Sequence, residues 1–280
     1  MGYQTIGQEG SVTSWGSGSS NCKHLIDTGL AVNSARLTMQ TDELNTTASG
    51  DTAQRRKTGM RSWTVELRGL FPKTTRKIGN TGFVTYASGY ATYVNQWSMQ
   101  IQADVLDITA FGQADVTTKV YRPGRLLITG SYEAMLDSAA NPINANNPGV
   151  PATSPAAATF KATEEGATDN EFTGNILTTQ ADVNIPIGEG GLNTASYNWI
   201  LDGALTVVGS ANVLPAGVLS GFDWDTSGDG APDQTLLFQS SSGRTYSGVA
   251  FLSSLQISVN PQGLIEVTAT AQGAGPLTVA

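Results

Sequence analysis

The run most suggestive of chemistry is Asp225-Thr-Ser-Gly-Asp-Gly-Ala-Pro-Asp233, where oxygen-bearing side chains alternate ahead of a glycine as they do in calcium loops. Its candidate ligands are Asp225, Ser227, Asp229 and Asp233. The match is partial: Ser227 holds the third position, and Leu236 holds the twelfth, where a bidentate glutamate is needed. An acidic, Gly-rich turn between strands accounts for the same residues and is the reading taken here. Cys22 and His24 are the sole cysteine and histidine, so neither an intramolecular disulfide nor a Cys/His zinc site can be assembled. Two positions apart on an extended chain they point to opposite faces, and no third group orients them as nucleophile and base. Walker, dinucleotide, nucleophile-elbow and Cys-x-x-Cys patterns are absent. A carboxylate hydrolase stays open in principle, but nothing selects a pair of acids. The expectation is a protein without enzymatic activity, cofactor or metal. Trp63, Trp97, Trp199 and Trp224 sit in strand-like alternation and are expected in the core rather than as a stacking platform.

The elements that would position any site are strands. The chain has 280 residues, 39% hydrophobic and 14% charged, enough for a sizeable core. No run of 18 apolar residues occurs, and the start Met1-Gly-Tyr-Gln-Thr-Ile lacks the basic and apolar parts of a signal peptide, so a non-membrane protein made in the cytoplasm is expected. Charge is uneven: residues 1–137 carry 13 basic and 11 acidic side chains, whereas 138–280 carry 2 and 12. The basic residues Arg55, Arg56, Lys57, Arg61, Arg68, Lys73, Arg76 and Lys77 lie close together against Asp51 and Glu66. With no nucleic-acid module in sight, a basic loop docking on an acidic face of another copy explains both halves of this asymmetry.

The strongest pattern is a repeat. Thr38-Met-Gln-Thr-Asp-Glu-Leu-Asn-Thr-Thr-Ala-Ser-Gly50 returns 62 positions later as Gln100-Ile-Gln-Ala-Asp-Val-Leu-Asp-Ile-Thr-Ala-Phe-Gly112, with Gln40/Gln102, Asp42/Asp104, Leu44/Leu106, Thr47/Thr109, Ala48/Ala110 and Gly50/Gly112 identical. Each copy runs into a polar stretch, a second glycine (Gly59, Gly124) and another alternating run, which is the layout of a long-looped hairpin. A weaker echo relates Ile176-Leu-Thr-Thr and Asp202-Gly-Ala-Leu-Thr-Val207 to Phe251-Leu-Ser-Ser and Gln272-Gly-Ala-Gly-Pro-Leu-Thr-Val279. The implied order is hairpin, hairpin, closing pair, closing pair, a nested arrangement. The expected organisation is an N-terminal arm (1–34), two repeated hairpin units (35–137), a long Pro/Ala/Asn-rich loop (138–175) whose stretch Ala157–Glu165 is the best helix candidate, and closing strands (176–280). The fold class is all-β and mainly antiparallel, a sandwich or barrel with at most one or two short helices.

These residues resemble the major tail tube proteins of long-tailed bacteriophages. The resemblance is carried by Asp104-Val-Leu-Asp-Ile-Thr-Ala-Phe-Gly112 with Pro123-Gly124 and Ile128-Thr-Gly130, more loosely by Asp42 to Asp51 with Gly59 and Gly69, and by Tyr246–Ser254 and Glu266–Thr278. It implies a β-sandwich virion subunit that joins copies of itself into rings, hexameric or trimeric with pseudo-sixfold symmetry. The rings stack into a hollow tail tube, alongside a tape measure and other tail proteins, and DNA passes through without sequence-specific binding. It implies inter-subunit or inter-ring contacts for Asp42, Asp51, Arg55, Arg56 and Lys57 in the first hairpin and Asp104, Asp107, Phe111, Lys119 and Arg122 in the second. The contrasting reading is a calcium- or carbohydrate-binding β-sandwich module, resting on the Asp225–Asp233 loop and the tryptophans.

Overall fold

A computed structural model describes residues 11–15, 31–49, 51–71, 83–86, 90–91, 94–110, 117–135, 154–161, 171–184, 194–208, 220–223, 234–239, 244–260 and 265–280. The strands are β1 (Ser11–Trp15), β2 (Ala31–Asn45), β3 (Arg56–Phe71), β4 (Phe83–Tyr86), β5 (Tyr90–Ala91), β6 (Val94–Asp107), β7 (Tyr121–Met135), β8 (Ala156–Lys161), β9 (Glu171–Asn184), β10 (Thr194–Val208), β11 (Thr235–Gln239), β12 (Thr245–Val259) and β13 (Ile265–Val279). Among the described residues one short 3-10 turn, Ser220–Phe222, accompanies them. The all-β, antiparallel expectation holds. All strand pairs are antiparallel and belong to one sheet ordered β2-β3-β13-β12-β6-β7-β10-β9-β8-β4-β5, with β11 joining β12 and β1 joining β11.

Alternation explains why these segments are strands. Trp63, Val65 and Leu67 of β3, Trp97, Met99 and Ile101 of β6, and Leu255, Ile257 and Val259 of β12 all point to one face and are buried, while their neighbours point outward. The sheet folds over this face. Phe160 of β8 packs on Trp97 of β6 (5.6 Å between ring centroids) and on Trp199 of β10 (4.6 Å), and Trp97 Nε1 donates to the Lys161 carbonyl at 3.0 Å. Three of the four tryptophans assigned to the core are there; Trp224 lies outside the described residues.

Two expectations are corrected. The described part of the stretch proposed as a helix, residues 157–161, lies in strand β8 (Ala156–Lys161), because Ala158 and Phe160 alternate inward and both edges find partners, β9 and β4; residues 162–165 lie outside the described residues. Hydrogen bonding in a sheet and burial of a phenylalanine outweigh the helix propensity of three alanines. The supposed N-terminal arm contributes β1 and the start of β2, and β1 is tied to β11 with Val12 opposite Phe238.

The repeat is deeper than the hairpin. Val84 of β4 faces Phe160 of β8, which faces Phe172 of β9; likewise Val12 of β1 faces Phe238 of β11, which faces Tyr246 of β12. In β9 the bulge residue Thr179 donates its hydroxyl to the Asn198 carbonyl (3.3 Å), and in β12 the bulge residue Ser253 does the same to the Thr270 carbonyl (3.2 Å). Phe172 pairs with Val207 as Tyr246 pairs with Val279. The chain therefore contains two copies of one six-strand unit. The first is β1, β2, β3, β11, β12 and β13; the second, β4, β6, β7, β8, β9 and β10, is inserted between β3 and β11 of the first. The nesting read from the sequence is present, and it includes β1, β4, β8 and β11 as well.

Candidate functional site: twin hairpins and a polar sheet face

The six identities of the repeat build two matching hairpins. In β2–β3 the register slips between Thr41 and Glu43, and in β6–β7 between Ala103 and Val105, which puts Asp42 and Asp104 at equivalent bulges. Each aspartate lies directly over a glycine. A Cβ on Gly59 would sit 3.0 Å from Asp42 Cβ, and one on Gly124 would sit 2.9 Å from Asp104 Cβ. This close approach is the physical reason for glycine at both positions. Leu44 and Leu106 flank the glycines and face Lys57 and Arg122 across the pair; both leucines are about half exposed.

The hairpin ends are built alike too. Thr47 N donates to Asn45 Oδ1 (3.0 Å) and Arg55 N to Thr47 Oγ1 (2.9 Å), while Thr109 N donates to Asp107 Oδ1 (3.0 Å) and Val120 N to Thr109 Oγ1 (2.9 Å). The side-chain and backbone hydrogen bonds from Thr109 hold the Asp107 carboxyl below its ordinary range, and the Lys119 charge adds to this.

Two basic residues at the end of the first hairpin are matched within the chain. Arg55 Nε lies 3.3 Å from Asp51, and Arg56 Nη1 lies 2.6 Å from Glu43, a partner that sequence proximity did not suggest. The hairpins also meet each other. Residues 117–119 lie along β3, with Arg61 N donating to the Thr117 carbonyl and Lys119 N to the Arg61 carbonyl, both at 2.8 Å. Lys119 Nζ then reaches Asp42 Oδ2 at 2.7 Å, which keeps the ammonium above its usual pKa. Of the sequence-predicted site residues, the structure brings Asp42 to Lys119 and Asp51 to Arg55. Asp104 stays at its bulge, and Lys57 and Arg122 flank the exposed leucines. Phe111, Cys22, His24 and the Asp225–Asp233 loop lie outside the described residues.

Sequence reading missed the outer face of the sheet. Opposite the core, eight consecutive strands present mostly uncharged polar groups, with Arg36 on β2, Glu66 and Arg68 on β3 and Asp182 on β9 among them. Thr38 on β2 neighbours Thr64 on β3, which neighbours Gln272 on β13; Thr268 on β13 neighbours Gln256 on β12, which neighbours Gln100 on β6 and then Thr129 on β7. Ser98 and Ser131 hydroxyls bond at 2.9 Å, and Asn198 Nδ2 donates to Gln180 Oε1 at 3.1 Å, so the side chains link strand to strand. On the outward positions of β13, β12, β6, β7 and β10, among the described residues, charges are few: Glu133 and Glu266 toward one end of the face, and Asp104, Arg125 and Asp202 toward the other. Two shallow depressions on this face are lined largely by serines and glutamines, including Ser98, Ser131, Ser196, Gln256 and Ser258. The available signal was the chemistry of the outward phase, Ser/Thr/Gln/Asn where an ordinary solvated face carries Lys and Glu. Such a surface can hydrate and hydrogen-bond; it offers no paired acid and base. Among the described residues no three His, Cys, Asp or Glu side chains converge, and no helix is long and apolar enough to cross a membrane.

No protein-family model matches the chain, and no curated protein matches it. Among solved structures, the hybrid solid-state NMR and cryo-EM structure of the SPP1 tail tube is similar over 48% of this chain and 79% of that one, with 11% identity and a TM-score of 0.32.

Proposed function

We propose that this protein is a structural virion subunit that assembles by its sheet edges into rings stacked as a hollow phage tail tube. The observation that carries the reading is the internal duplication. Two copies of one unit lie side by side in a single sheet, joined through β12 and β6, and among the described residues β2 and the C-terminal half of β9 are left as open edges. A chain that already joins two of its own units edge to edge has the heterologous contact from which rings are made. Three chains would supply six units, a trimeric ring with pseudo-sixfold symmetry.

In this reading the uncharged polar face lines the channel. DNA adheres to proteins chiefly by displacing counterions with Lys and Arg. A wall of hydroxyls and amides in which charges are few lets a polyanion slide without holding it. The tail motifs around Asp104–Gly112 and Asp42–Asp51 agree with this role. The protein acts without catalysis or cofactor, its partners are other copies of itself and further tail proteins, and it is placed in the virion tail after synthesis in the host cytoplasm.

The test is negative-stain microscopy of the purified protein over a concentration series, with mass photometry of the same samples. Uniform rings or tubes, with a ring mass of three chains, are expected. A monomer at every concentration, in the presence or absence of other tail proteins, would refute the proposal.

A further inference from the structure

The internal seam between the two units specifies an external one. At the seam, β12 pairs with β6 through Ser254–Gln102, Leu255–Ile101, Gln256–Gln100, Ile257–Met99 and Ser258–Ser98. By the duplication, β9 is the counterpart of β12 and β2 is the counterpart of β6. Replacing each residue by its counterpart turns this register into Gln180–Gln40, Ala181–Met39, Asp182–Thr38, Val183–Leu37 and Asn184–Arg36, on strands whose facing edges are open in the single chain. We propose that β9 of one copy pairs antiparallel with β2 of the next in this register, completing the sheet between chains. The inference rests on the ring reading above and adds the residue contacts to it.

Exposure supports the assignment. Met39 is 64% and Val183 38% exposed, although both point to the core face; their counterparts Ile101 and Ile257 are 0% and 3% exposed because the internal seam covers them. Apolar side chains on the inner face of an unpaired edge are the mark of an edge that takes another strand. The polar face continues across the new seam, with Asp182 diagonal to Arg36, an opposite-charge pair within cross-strand reach. A second contact follows from the same operation. Within the chain, residues 117–119 cover Arg61, and Lys119 reaches Asp42. The counterparts of Arg61 and Asp42 in the second unit are Leu126 and Asp104, both exposed; the first-hairpin loop of the neighbouring copy, which carries Arg55 and Arg56, is placed to meet them.

The experiment is disulfide mapping of the full chain in a Cys22→Ser background. Directly opposed residues of an antiparallel pair have Cα atoms about 4.5–5.5 Å apart, within disulfide range, whereas diagonal ones are about 7–8 Å apart and outside it. Thr38→Cys with Asp182→Cys is the matched pair, and Gln40→Cys with Asp182→Cys is the register-shifted control. After mild oxidation, the matched variant should form a reducible ladder of linked chains containing most of the protein, and the control at least about ten-fold less. Rings seen by microscopy without matched linkage, or with equal linkage in the control, would overturn this register and leave the ring reading standing. Absence of both rings and linkage would overturn the two together. Circular dichroism of each variant as a reduced monomer checks that these substitutions, at exposed and half-buried edge positions, leave the fold intact.

Discussion

At the scale of single residues, the identities that first marked the repeat turn out to be the parts that shape a hairpin. Asp42 and Asp104 close over Gly59 and Gly124, and Thr47 and Thr109 tie the loop back to the strand. Asp107 shows how such a tie answers to pH. Because its folded carboxyl titrates below the ordinary value of 3.8, the ionised form is favoured by folding; that contribution is present above 3.8 and is lost as pH falls through the lowered folded value. The protection of the Thr109 amide, its exchange rate relative to the intrinsic rate at the same pH, should therefore fall as the pH drops below 3.8, and Asp107→Asn should flatten this dependence. Glycines in the core offer a contrast between the two units. A Cβ on Gly248 would lie 2.6 Å from the Trp63 ring, which is fixed by its 2.8 Å hydrogen bond to the Gly275 carbonyl, and 3.0 Å from the Pro276 carbonyl. At the counterpart Gly174 the nearest atom is the flexible end of Leu201, with the Ala204 carbonyl at 3.2 Å. Gly248→Ala should cost about 2–3 kcal/mol in urea unfolding, as overpacked cores do, and Gly174→Ala about 1 kcal/mol or less.

Elements decide how far those residues can act. Every long strand spends one face on the core, so its remaining chemistry lies on the outer face and along whatever edge is unpaired. The edge of β2 is the exposed case. Met39 is 64% exposed in the single chain, so Met39→Lys should leave monomer stability within about 0.5 kcal/mol. The same lysine would put an unpaired charge into a covered seam, the device natural sheets use to prevent edge pairing. Rings should be lost at concentrations where the parent assembles, a comparison that sedimentation velocity of the two proteins makes directly.

At the scale of the whole molecule, the inserted unit makes the chain a fused pair, and the fused pair presents one continuous polar face. In the proposed role, the scarcity of cations at its centre is functional. Gln100→Lys, Gln256→Lys and Thr129→Lys, adjacent across β12, β6 and β7, should leave assembly intact and make the tubes retain short DNA duplexes, with affinity falling steeply as salt rises. Filter binding at low and high salt measures this. Parent-like indifference to DNA in the triple variant, with tubes present, would remove the electrostatic account of passage.

Period-two alternation and turn residues were enough to read the all-β class, both hairpins, most of the closing strands, the buried tryptophans and the nested order from the sequence. These depend on local chemistry repeated along the chain. The partner of Arg56, the bridge from residues 117–119 to Arg61, the strand at Ala156–Lys161 and the breadth of the polar face depend on residues far apart in sequence. A short segment such as Ser11–Trp15 or Phe83–Tyr86 has too few side chains to declare its place; only the strand it docks against identifies it as the same piece of a repeated unit. Sequence determined that this protein is a β structure with a repeated hairpin, because side-chain patterning is local. Tertiary structure decided that the repeat extends to a whole six-strand unit and which edges stay open, because a strand's place and an edge are both defined by neighbours.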